Sequence, residues 1–138
     1  MKKIIIASHG DLSKGMKHSL QMILGSMADP IVTYSLYPGQ SAMDFARQIS
    51  EEVQSNQQDE YVIFADVYGA SVCNAMYPLT VNPNVILFAG INLNLIIEYM
   101  VSYPNPLRQE DIDQLLLLSR EGLRQVILDE AESKDNDF

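Results

Sequence analysis

Ile4-Ile5-Ile6-Ala7-Ser8-His9-Gly10 lies at the start of the 138-residue chain. Its apolar, β-branched run closes on small residues, the pattern of a short buried strand. Ser8, His9 and Gly10 fall where such a strand leaves the sheet, and a helical pattern begins a few residues later. Ligands of open α/β sheets bind beyond the carboxyl ends of the strands. His9 therefore stands at the edge where chemistry is usually done. A single loop histidine is more often an ordinary solvated residue, and a second segment raises His9 above that. Tyr61-Val62-Ile63-Phe64-Ala65-Asp66 is another apolar strand ending in a polar group, followed by Val67-Tyr68-Gly69-Ala70-Ser71. If the two strands are parallel neighbours, their ends lie about 4.8 Å apart. Asp66 can then accept the proton-bearing ring nitrogen of His9, leaving the other nitrogen as a free lone pair.

The rest of the chain alternates in the same way. Leu12, Met16, Leu20, Ile23 and Met27 mark one helical face, with Asp11 or Ser13 as cap and Gly25 near the end. His18 falls on the flank of this helix, where an exposed histidine is expected. Residues 31–37 read as the second strand, bounded by Pro30 and Pro38-Gly39. Ser41-Ala42-Met43-Asp44 is a capping-box variant that opens a helix carrying Phe45, Ala46, Ile49 and Val53 inward. After the third strand, Ser71 begins a short helix that Pro78 kinks or frays. Residues 85–89 are the fourth strand. A helix of Leu95, Ile96, Tyr99 and Met100 follows, and Pro104-Asn105-Pro106 breaks it. Residues 110–121 form a further helix, with Ile112, Leu115, Leu116 and Leu118 inward. Beyond Gly122, residues 123–128 read as further helix or as a short strand. Strand and helix alternate four times, which forces parallel strands and right-handed crossovers. The expected class is α/β, a doubly wound open sheet of four parallel strands flanked by helices. One domain over residues 1–130 and an acidic, disordered tail over 131–138 are expected.

Composition narrows the function. Hydrophobic residues make up 47% of the chain, enough for one core. No apolar stretch reaches the roughly 18 residues of a membrane span. Met1-Lys2-Lys3 has the basic start of a signal peptide, but the apolar run after it is too short and leads into His9-Gly10-Asp11. The single cysteine, Cys73, excludes an internal disulfide and suits a reducing, cytoplasmic compartment. A formal charge of −9 argues against nucleic acid and anionic membranes as partners and favours a partner with a basic docking face.

Several motifs fail. Gly10-Asp11-Leu12-Ser13-Lys14-Gly15 has the glycine spacing of a phosphate loop but lacks the Lys and Ser/Thr that should follow. No Gly-x-Gly-x-x-Gly follows the first strand, and the histidines and cysteine show no zinc spacing. A Ser-His-Asp hydrolase needs an exposed nucleophile elbow, and no Gly-x-Ser-x-Gly is present. A receiver-type signalling domain would also place an aspartate at Asp66, but the acidic pair expected after the first strand is replaced by Ser8-His9-Gly10.

With these residues in hand, the chain resembles the IIA component of the bacterial phosphoenolpyruvate-dependent sugar phosphotransferase system, mannose class. Ile5-Ile6-Ala7-Ser8-His9-Gly10 matches the family's phosphorylated-histidine strand. Phe64-Ala65-Asp66-Val67-Tyr68-Gly69-Ala70-Ser71 with Asn74 matches its aspartate turn, and Ala89-Gly90-Ile91-Asn92-Leu93 its asparagine-leucine loop. Together the matches and the strand order cover residues 1 to about 128. The chain departs from the usual pattern at Tyr68, often tryptophan, and at Val72 and Asn94, often proline.

The resemblance implies a phosphotransferase that accepts a phosphoryl group from the histidine phosphocarrier protein and passes it to a IIB subunit. IIB in turn serves the membrane IIC and IID partners. It also implies a homodimer with an exchanged C-terminal strand, for which residues 123–128 lie in the matching place. A related subunit serving dihydroxyacetone kinase is the alternative within the family. On this account His9 is the nucleophile and Asp66 orients it. Ser71, with Gly69 and Ala70 in the turn, holds phosphoryl oxygens, and Asn92 borders the crevice or simply caps a turn. No metal or cofactor is required, because carriers exchange the group directly.

Overall fold

The computed structural model describes residues 1–103 and 106–128. Its strands are β1 (Lys2–His9), β2 (Val32–Leu36), β3 (Glu60–Ala65) and β4 (Val85–Ala89). Its helices are α1 (Leu12–Leu24), α2 (Ala42–Ser55), α3 (Ser71–Met76), α4 (Leu93–Ser102) and α5 (Gln109–Glu121). All three strand pairings are parallel and the sheet order is β2-β1-β3-β4. The chain leaves β1 toward one side, to β2, and then returns to build β3 and β4 on the other. The direction of winding therefore reverses between β1 and β3.

The central residues of β1, β3 and β4 are apolar because both sheet faces are covered there. Ile5 and Ala7 of β1, with Ile63 and Ala65 of β3, point toward α2 and α3. Ile4 and Ile6, with Val62, Phe64 and Phe88, point toward α1, α4 and α5. β1, β3 and β4 thus contribute alternate residues to two cores, while β2 gives Val32, Tyr34 and Leu36 to the first. No described helix is long and apolar enough to cross a membrane.

Three local expectations change. On α1, Met16 and Leu20 are buried and Leu24 packs beside them. Leu12, Ile23 and Met27 are instead more than half exposed, at 52%, 56% and 53%. The α-helix ends at Leu24 and Gly25 turns the chain at φ +65°, so Met27 lies on a separate 3₁₀ turn. Ser13 takes the buried place in the first turn because its hydroxyl donates to the Tyr34 carbonyl at 2.9 Å. On α5, Leu115 is buried, and Ile112 and Leu116 pack on the same core. Leu118 is exposed, and Ser119 completes the stripe with its hydroxyl on the Leu115 carbonyl. Residues 123–128 form neither helix nor strand within the single chain and are exposed. At Pro78 α3 gives way to a 3₁₀ turn over Tyr77–Val81. The expected tail, 131–138, lies outside the described residues.

Candidate functional site

β1 and β3 are sheet neighbours, with Ala7 opposite Ala65, so His9 and Asp66 emerge side by side at the point where the winding reverses. Asp66 binds both ends of His9. Its Oδ2 accepts the His9 backbone N–H at 2.8 Å and lies 2.8 Å from ring Nδ1. Its Oδ1 accepts the Val67 N–H at 3.0 Å, and its own N–H donates to the Ala7 carbonyl at 3.2 Å. The carboxylate is buried, with 5% of its side chain exposed, while the ring it holds is 46% exposed. Burial pushes the Asp66 carboxyl up, but the His9 amide, ring and charge and the Val67 amide together outweigh it and hold the group below its ordinary value.

An ionised carboxylate only accepts, so Nδ1 carries a proton whether the ring is charged or neutral, and in the neutral ring Nε2 keeps a bare lone pair. Ser71 Oγ lies 3.1 Å from Nε2, where its hydroxyl donates to that lone pair. Asp66, His9 and Ser71 therefore form one hydrogen-bonded line from a buried carboxylate to an exposed hydroxyl.

The turn that carries His9 is pinned by serines. Gly10 adopts φ +56° and donates its N–H to the Leu36 carbonyl at 2.7 Å. Asp11 stands at the cap position of α1 but its side chain makes no cap bond to the helix. The buried Ser8 hydroxyl does this instead, accepting the Ser13 N–H at 2.8 Å and donating to the Gly10 carbonyl at 3.1 Å. The Ser13 hydroxyl also meets Ser35 Oγ at 3.1 Å. Sequence reasoning passed over Ser8 and Ser35. The available signal was a pair of serines five residues apart across a strand-to-helix turn. Beside this turn the Tyr37 hydroxyl donates to Asp11 and accepts from Lys14 at 2.7 Å.

The second turn is equally built. Gly69 adopts φ +80°, and its carbonyl accepts the Asn74 side-chain amide at 2.9 Å. The Ala70 N–H donates to the Val67 carbonyl at 3.2 Å. Tyr68 projects into solvent, 85% exposed. Asn92 caps α4, its Oδ1 accepting the Leu95 N–H at 2.8 Å. It lies at the carboxyl edge of β4, and no hydrogen bond among the described residues joins it to His9, Asp66 or Ser71. His18 is exposed on α1. A hollow of about 410 Å³ opens beside Ser71, walled by Leu36, Ala42, Met43 and Ala75.

An oriented imidazole with one bare nitrogen, on an open edge, is a nucleophile for a group delivered by another molecule. Known proteins point the same way. The family described as "PTS system fructose IIA component" matches residues 3–116. The sorbose-specific EIIA component of the phosphotransferase system of Klebsiella pneumoniae is 29% identical over 117 residues, 84% of each chain. Among solved structures, the mannose/sorbose-specific IIA subunit of Enterococcus faecalis superposes with a TM-score of 0.79 at 26% identity, covering 94% of this chain and 98% of that one. The phosphotransferase system component EIIA of Streptococcus agalactiae gives 0.77 at 26%, covering 91% and 97%. The match extends over the four strands, the two site turns and most of the helical layers, so the chain belongs to the mannose-class IIA components of the sugar phosphotransferase system, which take part in phosphoryl transfer during sugar uptake.

Proposed function

We propose that His9 carries the phosphoryl group on Nε2. Nε2 attacks the phosphorus held by the histidine phosphocarrier protein. A new N–P bond forms as the donor's N–P bond breaks, and the donor imidazole keeps the released electron pair. The same exchange in the forward direction hands the group to a IIB subunit, which serves the membrane IIC and IID partners from the cytoplasmic side. Asp66 keeps the proton on Nδ1 and balances the charge the ring gains. The Ser71 hydroxyl shifts its hydrogen bond from the lone pair to a phosphoryl oxygen, with the Gly69-Ala70 turn beside it and Asn92 at the border.

The observation that carries this reading is the line Asp66–His9–Ser71, which leaves Nε2 unprotonated, bonded only to the Ser71 hydroxyl, on a ring that is half exposed. It also weakens the receiver alternative. Asp66 is buried and its oxygens accept three N–H groups, so it is poorly placed to take a phosphoryl group itself.

Incubation with phosphoenolpyruvate, the general enzyme and the phosphocarrier should label the wild-type protein and His18→Ala, and leave His9→Ala unlabelled. Label surviving loss of His9 would end the proposal. The bond should be labile in acid and stable in base, whereas a hydroxylamine-sensitive bond would indicate an aspartyl phosphate. Transfer to a dihydroxyacetone kinase partner but to no IIB protein would move the chain to the related subunit.

A further inference from the structure

Ser71 has a chemistry of its own in this arrangement. Its hydroxyl bonds to His9 Nε2 at 3.1 Å, and His9 Nδ1 is held by the buried Asp66 carboxylate at 2.8 Å. That is the connectivity of an activated serine: nucleophile to base, base to orienting acid. Ser71 is exposed, and the open hollow beside it is lined by the apolar Leu36, Ala42, Met43 and Ala75 with the polar Gln40, Ser41 and Asn74 at its side. A short alkyl chain fits such a space.

We propose that Ser71 is a second nucleophile of the site and takes short apolar acyl groups from activated esters. Ser71 Oγ attacks the ester carbonyl carbon while its proton passes to His9 Nε2. The Oγ–C bond forms, the carbon–oxygen bond to the leaving group breaks, and that oxygen leaves with the proton from His9. An acyl-serine and a free alcohol or phenol result, with no oxidant or metal involved. The phosphoryl group is excluded from the same fate by geometry. In-line displacement needs the attacking oxygen on the far side of phosphorus from the leaving nitrogen. Ser71 Oγ instead lies beside that nitrogen. The step rests on the hydrogen-bonded line alone. The relay reading adds one consequence, that a phosphoryl group on Nε2 removes the base and silences Ser71.

The test uses the full, unphosphorylated chain with p-nitrophenyl butyrate, measuring p-nitrophenol release and mapping the butyryl group by peptide mass spectrometry. A butyryl group on Ser71 is expected, forming about a hundredfold more slowly in His9→Gln, the usual scale of a general base. Circular dichroism should report an unchanged fold in that variant. No adduct at Ser71, an adduct on His9 or lysines alone, or equally fast Ser71 acylation in His9→Gln would overturn the proposal. The two readings fail separately: phosphoryl labelling of the wild-type chain tests the relay, and the mapped butyryl group tests Ser71.

Discussion

Asp66 spends one carboxylate on three N–H groups, two of them from His9. A hydrogen bond to a charged group contributes about 1.5–3 kcal/mol. Where that contribution is felt in the transition state, its loss slows the step by about tenfold to hundredfold. Asp66→Ala should therefore keep the fold and slow transfer from the phosphocarrier by that factor in a rapid-quench assay. Unchanged rates would show that the pairing does not matter. The same residue sets an acid limit. Its carboxyl is held below its ordinary value in the folded chain, so its contribution to stability is complete above an unfolded value of about 3.9. That contribution is lost as pH falls through the folded value. Urea unfolding of wild type and Asp66→Asn should show a stability gap at neutral pH that shrinks progressively below about pH 4. A gap independent of pH would contradict the pairing. His9 and Asp66 were legible because each ends an apolar run. Ser71 was legible as a turn residue, but its bond to Nε2 was not.

At the scale of elements, the caps do work the helices cannot do for themselves. Ser8 sits on β1 yet closes the first turn of α1, so the strand and the helix share one hydroxyl. Ser8→Ala leaves the Ser13 N–H buried without an acceptor and should cost about 1–2 kcal/mol in chemical denaturation. A cost near zero would mean that another acceptor takes its place. Asn92→Ala should cost about 1 kcal/mol, and Asn92→Asp should restore the cap. If transfer also falls in the alanine variant by more than this stability loss explains, Asn92 has a role at the site besides capping. Helix faces were the least legible feature. The apolar residues of α1 and α5 outnumber what one face can bury, and period alone does not say which of them turn inward. Ser13 and Ser119 hold buried places through hydroxyl bonds to carbonyls, an option hydropathy does not register.

At the scale of the molecule, apolar side chains are left in solvent. Leu123, Val126 and Leu128 are 86%, 90% and 85% exposed, and Leu117 on α5 is 54% exposed. Among the described residues β4 has a strand partner on one side only, so its other edge offers backbone groups for pairing. We propose a homodimer in which residues 123–128 cross to the partner's sheet, an arrangement that would cover both surfaces. Sedimentation should find the full chain dimeric, and truncation after Gly122 should shift it toward monomer. A monomeric full chain, or a dimer that survives truncation, would count against the exchange.

The sequence by itself determined the alternation of strands and helices, the parallel sheet, and the two polar residues that end β1 and β3. These follow from patterns among chain neighbours: apolar runs buried on both faces, turn residues between them, and crossovers that permit only parallel pairing. The family followed from the same residues. The tertiary structure decided which strands lie side by side, because parallel strands of similar composition are ordered by packing and not by local pattern. The order β2-β1-β3-β4 brings together His9 and Asp66, 57 positions apart, and His9 and Ser71, 62 apart. It also decided that Ser8 caps a helix it does not belong to. Such meetings depend on where separate elements come to rest, and a hydroxyl's partner is set by distances that no spacing along the chain records.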